Sequence, residues 1–195
     1  SYKEMDAVYC PLAGRHQLGN AVTALEAVFA LRTLGYCISN DAIRQGLKET
    51  VWRGRFTCIS TKPLFFIDGA HNEDAARRLR ESLETYFPEK HFIYIMGVFR
   101  DKEYEKIAGI MAPLAKSVHT LALPDASRTL SAQELASVME RHCHGGIPVQ
   151  AEENLELAIE NAIADAGEDD VIIAFGSLSY LGDVMLMVQN SIIFR

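Results

Sequence analysis

The chain has no apolar run approaching the roughly 18–20 residues that cross a bilayer as a helix. It also lacks a basic stretch followed by an apolar leader. A membrane partner is therefore not expected, and a cytoplasmic location is. Cysteine is scarce and scattered: Cys10, Cys37, Cys58 and Cys143 form no C-x-x-C pair. That removes the zinc-knuckle and dithiol readings and suits a reducing compartment. Positive charge is nowhere concentrated. Lys and Arg number 19 against 26 Asp and Glu, for a formal net charge of -7, so the footprint of a nucleic-acid binder is missing. Two glycine patterns are absent as well. Without G-x-G-x-x-G, nicotinamide binding is disfavoured; without G-x-x-x-x-G-K-[ST], this chain alone cannot cradle a triphosphate in the Walker manner. There is no internal repeat, and the first residue is Ser1 rather than Met. A fragment or a processed chain is expected.

What is present is ordinary globular material, 49% hydrophobic and 23% charged over 195 residues. That suffices for one domain with a proper core, or one domain plus a piece of another. The organising stretch is Phe65-Phe66-Ile67-Asp68-Gly69-Ala70-His71-Asn72. A short apolar run, Leu64 to Ile67, reads as a buried strand and stops at Asp68-Gly69. Asn72, a strong helix N-cap, then opens an amphipathic helix. An acid and an imidazole thus share one tight strand-to-helix turn, the kind of place where open α/β folds bind ligands.

Before that stretch the chain reads as helical. Residues 7–12 are apolar and are taken as a strand or an extended lead-in. Leu18 to Leu34 carries Leu18, Val22, Leu25, Val28, Phe29 and Leu34 at helical spacing, and predicts a long, well-buried helix ending near Gly35. Ser39-Asn40-Asp41 caps a second, shorter helix to about Glu49. Trp52-Arg53-Gly54-Arg55 breaks the pattern and marks a domain boundary.

After the boundary, strands and helices alternate. Strands are predicted at 56–60, 64–67, 92–98, 118–123, around Val149 and at 171–175. Helices are predicted at 73–87, 104–115, from Ser131 to about Cys143, at 154–166 and at 178–189. Ser131 with Glu134 forms a capping box. This rhythm implies βαβ units and a parallel sheet covered on both faces. Asp68, His71, Asp101, Lys102, Asp125 and Ser177 all follow strands directly, so a parallel sheet gathers them on one edge. His142-Cys143-His144 closes a helix before Gly145-Gly146. Adjacent helical residues do not converge on one ion, and the cluster reads as cations at a helix C-terminus, with no metal site.

These residues carry a resemblance. Asp68-Gly69-Ala70-His71-Asn72 resembles the signature opening the C-terminal domain of folylpolyglutamate and dihydrofolate synthases, a branch of the Mur ligase superfamily. Gly14-Arg15-His16-Gln17-Leu18-Gly19-Asn20-Ala21 resembles the start of the last helix of that family's central ATPase domain. Trp52-Arg53-Gly54-Arg55-Phe56 resembles its interdomain segment. Met96-Gly97-Val98-Phe99-Arg100-Asp101-Lys102-Glu103 and Phe175-Gly176-Ser177-Leu178 resemble the ends of later strands. The matches fall in order along nearly the whole chain.

The resemblance implies a three-layer Rossmann-like α/β domain with a mostly parallel sheet over 52–195. Before it, 1–51 would be a helical remnant of the ATPase domain and a linker. It implies an ATP-dependent ligase that adds L-glutamate to folate or dihydropteroate through an acyl phosphate, commonly as a monomer. The phosphate loop and the Mg2+ ligands would lie in the missing N-terminal part, so the fragment alone is expected to be inactive. Asn20, Arg55 and Asp68 match family positions that contact ATP, His71 one near the reacting centre. Ser177 and Lys102 are candidates for holding a glutamate carboxylate. Two departures stand out: Glu73 follows Asn72 where the family usually has Pro, and Ser179 intervenes before Tyr180 in the last motif. Another Mur-type amino-acid ligase, or a non-catalytic module binding a nucleotide or small acid, are the competing readings.

Overall fold

The computed structural model describes residues 7–190. It divides between Arg53 and Gly54 into a helical unit and a sheet domain.

The helical unit consists of α1 (Arg15–Thr33) and α2 (Asn40–Lys48). Residues 7–13 form neither helix nor strand; Pro11 has no N–H to give to a ladder. Ser39 Oγ accepts the Ala42 N–H at 3.0 Å and caps α2 as expected. Arg32 ties the two helices, donating to Ile38 O at 2.6 Å and to Asn40 Oδ1 at 2.9 Å. The expectation of a well-buried α1 is not met. Leu18 is 61% and Val22 53% exposed, and Gln17 is the buried residue of the helix. Helical spacing identifies the face that would be covered, but a unit of about 50 residues has too little mass to cover a 19-residue helix.

The sheet domain has six strands: β1 (Thr57–Thr61), β2 (Leu64–Asp68), β3 (Phe92–Met96), β4 (Ala115–Thr120), β5 (Val149–Ala151) and β6 (Val171–Phe175). Their order is β1-β2-β6-β3-β4-β5. Only β1 is antiparallel, a hairpin partner of β2; the rest run parallel. The helices α3 (Glu73–Tyr86), α4 (Tyr104–Met111) and α5 (Ala132–His142) cover one face. The helices α6 (Leu155–Asp165) and α7 (Leu181–Asn190) cover the other. This is the three-layer, mostly parallel architecture expected.

Alternation along each strand sorts the core. Phe65, Ile67, Ile93, Ile95, Ile172 and Ala174 pack under α6 and α7. Their neighbours Phe66, Phe92, Tyr94 and Phe175 join Phe56 and Phe87 in a run of ring contacts on the other face, with centroids 4.9–6.4 Å apart. Several boundaries move from where the sequence placed them. Pro113 ends α4 early, a short 3-10 helix (Ala112–Leu114) follows, and β4 therefore starts at Ala115 rather than Val118. β3 ends at Met96, because Val98 leaves the sheet and its carbonyl accepts from Leu130 N. α7 starts at Leu181 because 177–180 form a turn first.

Among the buried polar groups is a hydrogen-bonded cluster around an imidazole. His119, on β4, is fully buried. Its Nδ1 is 2.8 Å from Glu152 Oε1 and its Nε2 3.2 Å from Asp165 Oδ2. Asn161 donates to the second oxygen of Glu152 at 3.0 Å. Every polar atom of the imidazole and of the Glu152 carboxylate thus has a partner, as a buried ionisable pair requires.

Candidate functional site

All parallel strands end on one edge, and the predicted residues follow them there. The chain leaves β2 for α3 on one face and leaves β6 for α7 on the other. Neighbouring strands whose continuations diverge to opposite faces open a crevice between their ends. The turns after β2 and β6 line that crevice. They carry Asp68, Gly69, Ala70, His71 and, opposite, Gly176, Ser177, Leu178.

The β2 turn is built around Asp68. Its side chain is almost completely buried, and each carboxylate oxygen accepts a backbone N–H: Oδ1 from Ala70 and Oδ2 from Phe56, both at 2.8 Å. Gly69 N–H donates to Gly54 O at 2.8 Å, and Gly54 N–H to Thr57 Oγ1 at 3.1 Å. Phe56 adopts a φ of +44°, uncommon for a residue with a side chain. Leu178 lies over both glycines: a β-carbon at Gly69 would fall 2.4 Å from Leu178 Cδ2, one at Gly54 3.1 Å. His71 Nδ1 lies 2.7 Å from Gly69 O. A carbonyl only accepts, so Nδ1 bears the proton and Nε2 is left to serve a ligand. Asn72 Oδ1 caps α3 by accepting from Ala75 N at 2.9 Å, and Glu73 suits the helix dipole.

Burial pushes the Asp68 carboxyl up to about 6, against the two amides and the nearby charges of Arg55 and His71, which act the other way. An unfolded aspartate titrates near 4. Between those values the folded chain holds a proton that the unfolded chain has lost, so the ionised group works against folding at neutral pH. The contribution of Asp68 to stability therefore rises as pH falls from above 6 towards 4. Denaturant unfolding at pH 7 and pH 5 should show this as a difference between wild type and Asp68→Asn, which has no proton to gain. Equal pH dependence in the two would refute it. An acid held charged in an unfavourable place is a candidate for function.

The other predicted residues fall as follows. Ser177 is buried; its Oγ accepts from Ser179 N at 3.2 Å and lies 2.9 Å from Ser179 Oγ. It shapes a turn ahead of α7 rather than capping the helix directly. Lys102 pairs with Asp101 at 3.1 Å, and Arg128 reaches the same carboxylate at 3.2 Å. These groups belong to the loops after β3 and β4, which are laced together by Arg100 N–H donating to Arg128 O and by Arg128 stacked on Phe99. Lys102 is thus on the same edge but beyond the β2–β6 crevice. Asp125 accepts from Ser127 in its own turn. Asn20 lies on α1 in the helical unit, exposed, donating to Gln17 Oε1 at 3.0 Å. Arg55 sits half-buried beside Phe56. His142 meets Glu105 at 3.1 Å, the surface pairing expected of a helix-end cation.

Two contributors escaped the sequence reading. Tyr180, fully buried, donates its hydroxyl to Phe175 O at 2.7 Å and Ile95 O at 3.1 Å, bracing β6 against β3 where the turns begin. Gly176 approaches the neighbouring turn so closely that a β-carbon would lie 2.3 Å from Gly97 O. A tyrosine five residues past a strand end and a glycine directly after that end were the available signals. A depression of about 650 Å³ lined by Lys62, Lys90, Ile163 and Asp169 lies at the opposite edge, away from these groups.

Residues 54–178 match the family described as Mur ligase, glutamate ligase domain. A probable bifunctional folylpolyglutamate synthase/dihydropteroate synthase of Haloferax volcanii is 33% identical over 172 residues, 88% of this chain and 20% of that protein. The folylpolyglutamate synthase of Mycobacterium tuberculosis, solved with ADP and AMPPCP, superposes with a TM-score of 0.82 at 29% identity, over 94% of this chain and 42% of that one. A bifunctional folylpolyglutamate synthase/dihydrofolate synthase solved with Mn, AMPPNP and L-glutamate gives 0.78 at 28% identity, over 95% and 42%. The chain thus spans between a fifth and about two-fifths of the length of these proteins.

Proposed function

The chain belongs to the Mur ligase family through its glutamate ligase domain, and we propose that it is the C-terminal part of a folylpolyglutamate/dihydrofolate synthase. In this reading the whole protein uses ATP to join L-glutamate to a folate or dihydropteroate carboxylate. The observation that carries it is the β2–β6 crevice. The turn that carries Asp68 and His71 and the turn that carries Ser177 follow neighbouring strands at one sheet edge, in a fold whose solved relatives hold nucleotides and, in one case, L-glutamate.

The acceptor carboxylate attacks the γ-phosphorus of ATP, giving an acyl phosphate and ADP. The glutamate amine then attacks the acyl carbon, phosphate leaves, and the amine loses a proton. His71 is fixed through Nδ1–H, and its Nε2 faces this second step. Through Nε2 it accepts from the incoming amine and orients it. Ser177, with the backbone N–H groups after it, holds a carboxylate of glutamate. Lys102 reaches the same group only by giving up Asp101. Asp68 has lone pairs left for a ribose hydroxyl beyond its two amide bonds, and Arg55 offers a planar fork to phosphate. A divalent metal would neutralise phosphate charge. Among the described residues no group of three His, Cys, Asp or Glu side chains is placed to hold one, and its ligands are assigned to the rest of the ligase. No helix among the described residues is long and apolar enough to cross a membrane.

The test uses the ligase extended upstream through its ATPase domain, following ADP release with tetrahydrofolate or dihydropteroate, with and without L-glutamate. Glutamate-dependent turnover is expected, falling about 100-fold in His71→Ala, the lower end of what a positioned acid–base group supplies. The 195-residue chain alone should release no ADP. Turnover indifferent to His71→Ala would remove His71 from the reacting centre. No turnover with either acceptor would overturn the folate reading.

A further inference from the structure

We propose that Asp68 is a positioning residue: its buried carboxylate locks the first residues of the sheet domain to the turn that carries His71, so that linker and imidazole move as one piece. The weight given to His71 rests on the ligase reading above; the lock itself does not.

Three features argue for a lock rather than an ordinary turn. The carboxylate joins two segments distant in sequence, accepting from Phe56 on the linker side and from Ala70 on the turn. Asparagine could not replace it: it has one accepting oxygen, and its NH2 would face the second N–H donor to donor. The join is reinforced from both sides. Gly69 N–H reaches back to Gly54 O, and Phe56 is buried with its ring stacked on Phe66 at 4.9 Å and Tyr86 at 5.5 Å. Finally, Phe56 is held at positive φ, a conformation that persists only where its surroundings over-determine it. The nearest link from the lock to the chemistry is one residue long, since the carbonyl of Gly69 orients His71 through Nδ1.

The charged groups acting on Asp68 are Arg55 from the linker and His71 from the turn; Leu178, of the β6 turn, brings only methyl groups over the neighbouring glycines. The closed turn holds its proton more tightly than an opened, solvated one would, so proton uptake near pH 6 should steady the lock.

The experiment follows the Phe56 and Ala70 amides of the 15N-labelled 195-residue chain by NMR from pH 8 to pH 5. Both should titrate with one shared midpoint near 6, matched by the 13C signal of the Asp68 carboxyl, and their exchange protection factors should rise about tenfold below it. His71→Gln should keep the shared midpoint and move it slightly upward, because a charge that holds the Asp68 carboxyl down is lost. Asp68→Asn should abolish it and lower protection at one of the two amides, with Tyr94 and Ile95 unchanged. Should Asp68→Asn fail to fold, the pH dependence of the two amides in wild type serves as the test by itself. Unequal midpoints for the two amides, a midpoint that vanishes in His71→Gln, or protection that ignores pH would each overturn the proposal. If the amides behave as stated while His71→Ala leaves ligase turnover intact, the lock stands and the role given to His71 falls.

Discussion

Replacing His119 by leucine is expected to lower the unfolding free energy of the sheet domain by about 3–5 kcal/mol, the usual cost of removing one partner from a buried, hydrogen-bonded pair of ionisable groups. The reason is the company it keeps. Glu152 is nearly as buried as His119, and its Oε1 would lose its hydrogen-bond partner with no water to replace it. Asp165 is about one-third exposed and can turn to solvent, so the damage centres on Glu152. Domains of this size are stable by only about 5–15 kcal/mol, so the loss is a large fraction of the total. Denaturant unfolding followed by far-UV circular dichroism measures it. A double-mutant cycle makes the cause explicit: His119→Leu with Glu152→Leu should recover part of the loss, because no charge is then stranded. A cost below about 1 kcal/mol for the single change, or strict additivity in the cycle, would mean that the pair is not coupled.

Gly176→Ala should cost roughly 2–6 kcal/mol, the sum of backbone strain and a forced shift of packed chain. Gly176 has a φ of +112°, and its β-carbon would sit 2.3 Å from the carbonyl oxygen of Gly97. That oxygen is backbone on a fully buried strand end and has no rotamer to escape into. Gly146→Ala is the control. It shares the positive φ, +73°, but a β-carbon there meets nothing within 4 Å. It should therefore show only the conformational part, about 1 kcal/mol. Equal losses at the two glycines would show that strain acts alone and that the approach of β6 to the β3 turn is unimportant. A Gly176→Ala protein that remains folded should also respond to ligands less well than wild type, since Ser177 follows directly.

The features legible in the sequence are those whose causes are local. Asn72 caps α3 and Ser131 with Glu134 builds a capping box because each partner lies three residues away. The shared edge of Asp68, His71 and Ser177 followed from the alternation of strands and helices, since a parallel sheet leaves no other arrangement for residues that follow its strands. What escaped depends on distance along the chain. His119 finds its partners 33 and 46 residues away, so nothing in its own strand announces them. Asp68 was read as a ligand group from its motif, yet both its oxygens are engaged by backbone, one of them belonging to a residue twelve positions earlier. The exposure of α1 escaped for a related reason. Periodicity shows which side of a helix is apolar, but burial depends on what is there to cover it.

The position of β6 has a consequence for how the protein is made. Val171–Phe175 is made after the other five strands, yet it lies in the middle of the sheet, paired with β2 on one side and β3 on the other. Until it arrives, the β1–β2 hairpin cannot complete a ladder with β3, β4 and β5, because the strand pairing between the two halves runs through residues 171–175. From the completion of β3 until residues 171–175 are made, a nascent chain thus carries two apolar sheet edges, separated by a gap one strand wide. Such edges are templates for pairing with other chains. A premature stop between Met96 and Val171 would not trim the sheet at its rim but remove its middle strand.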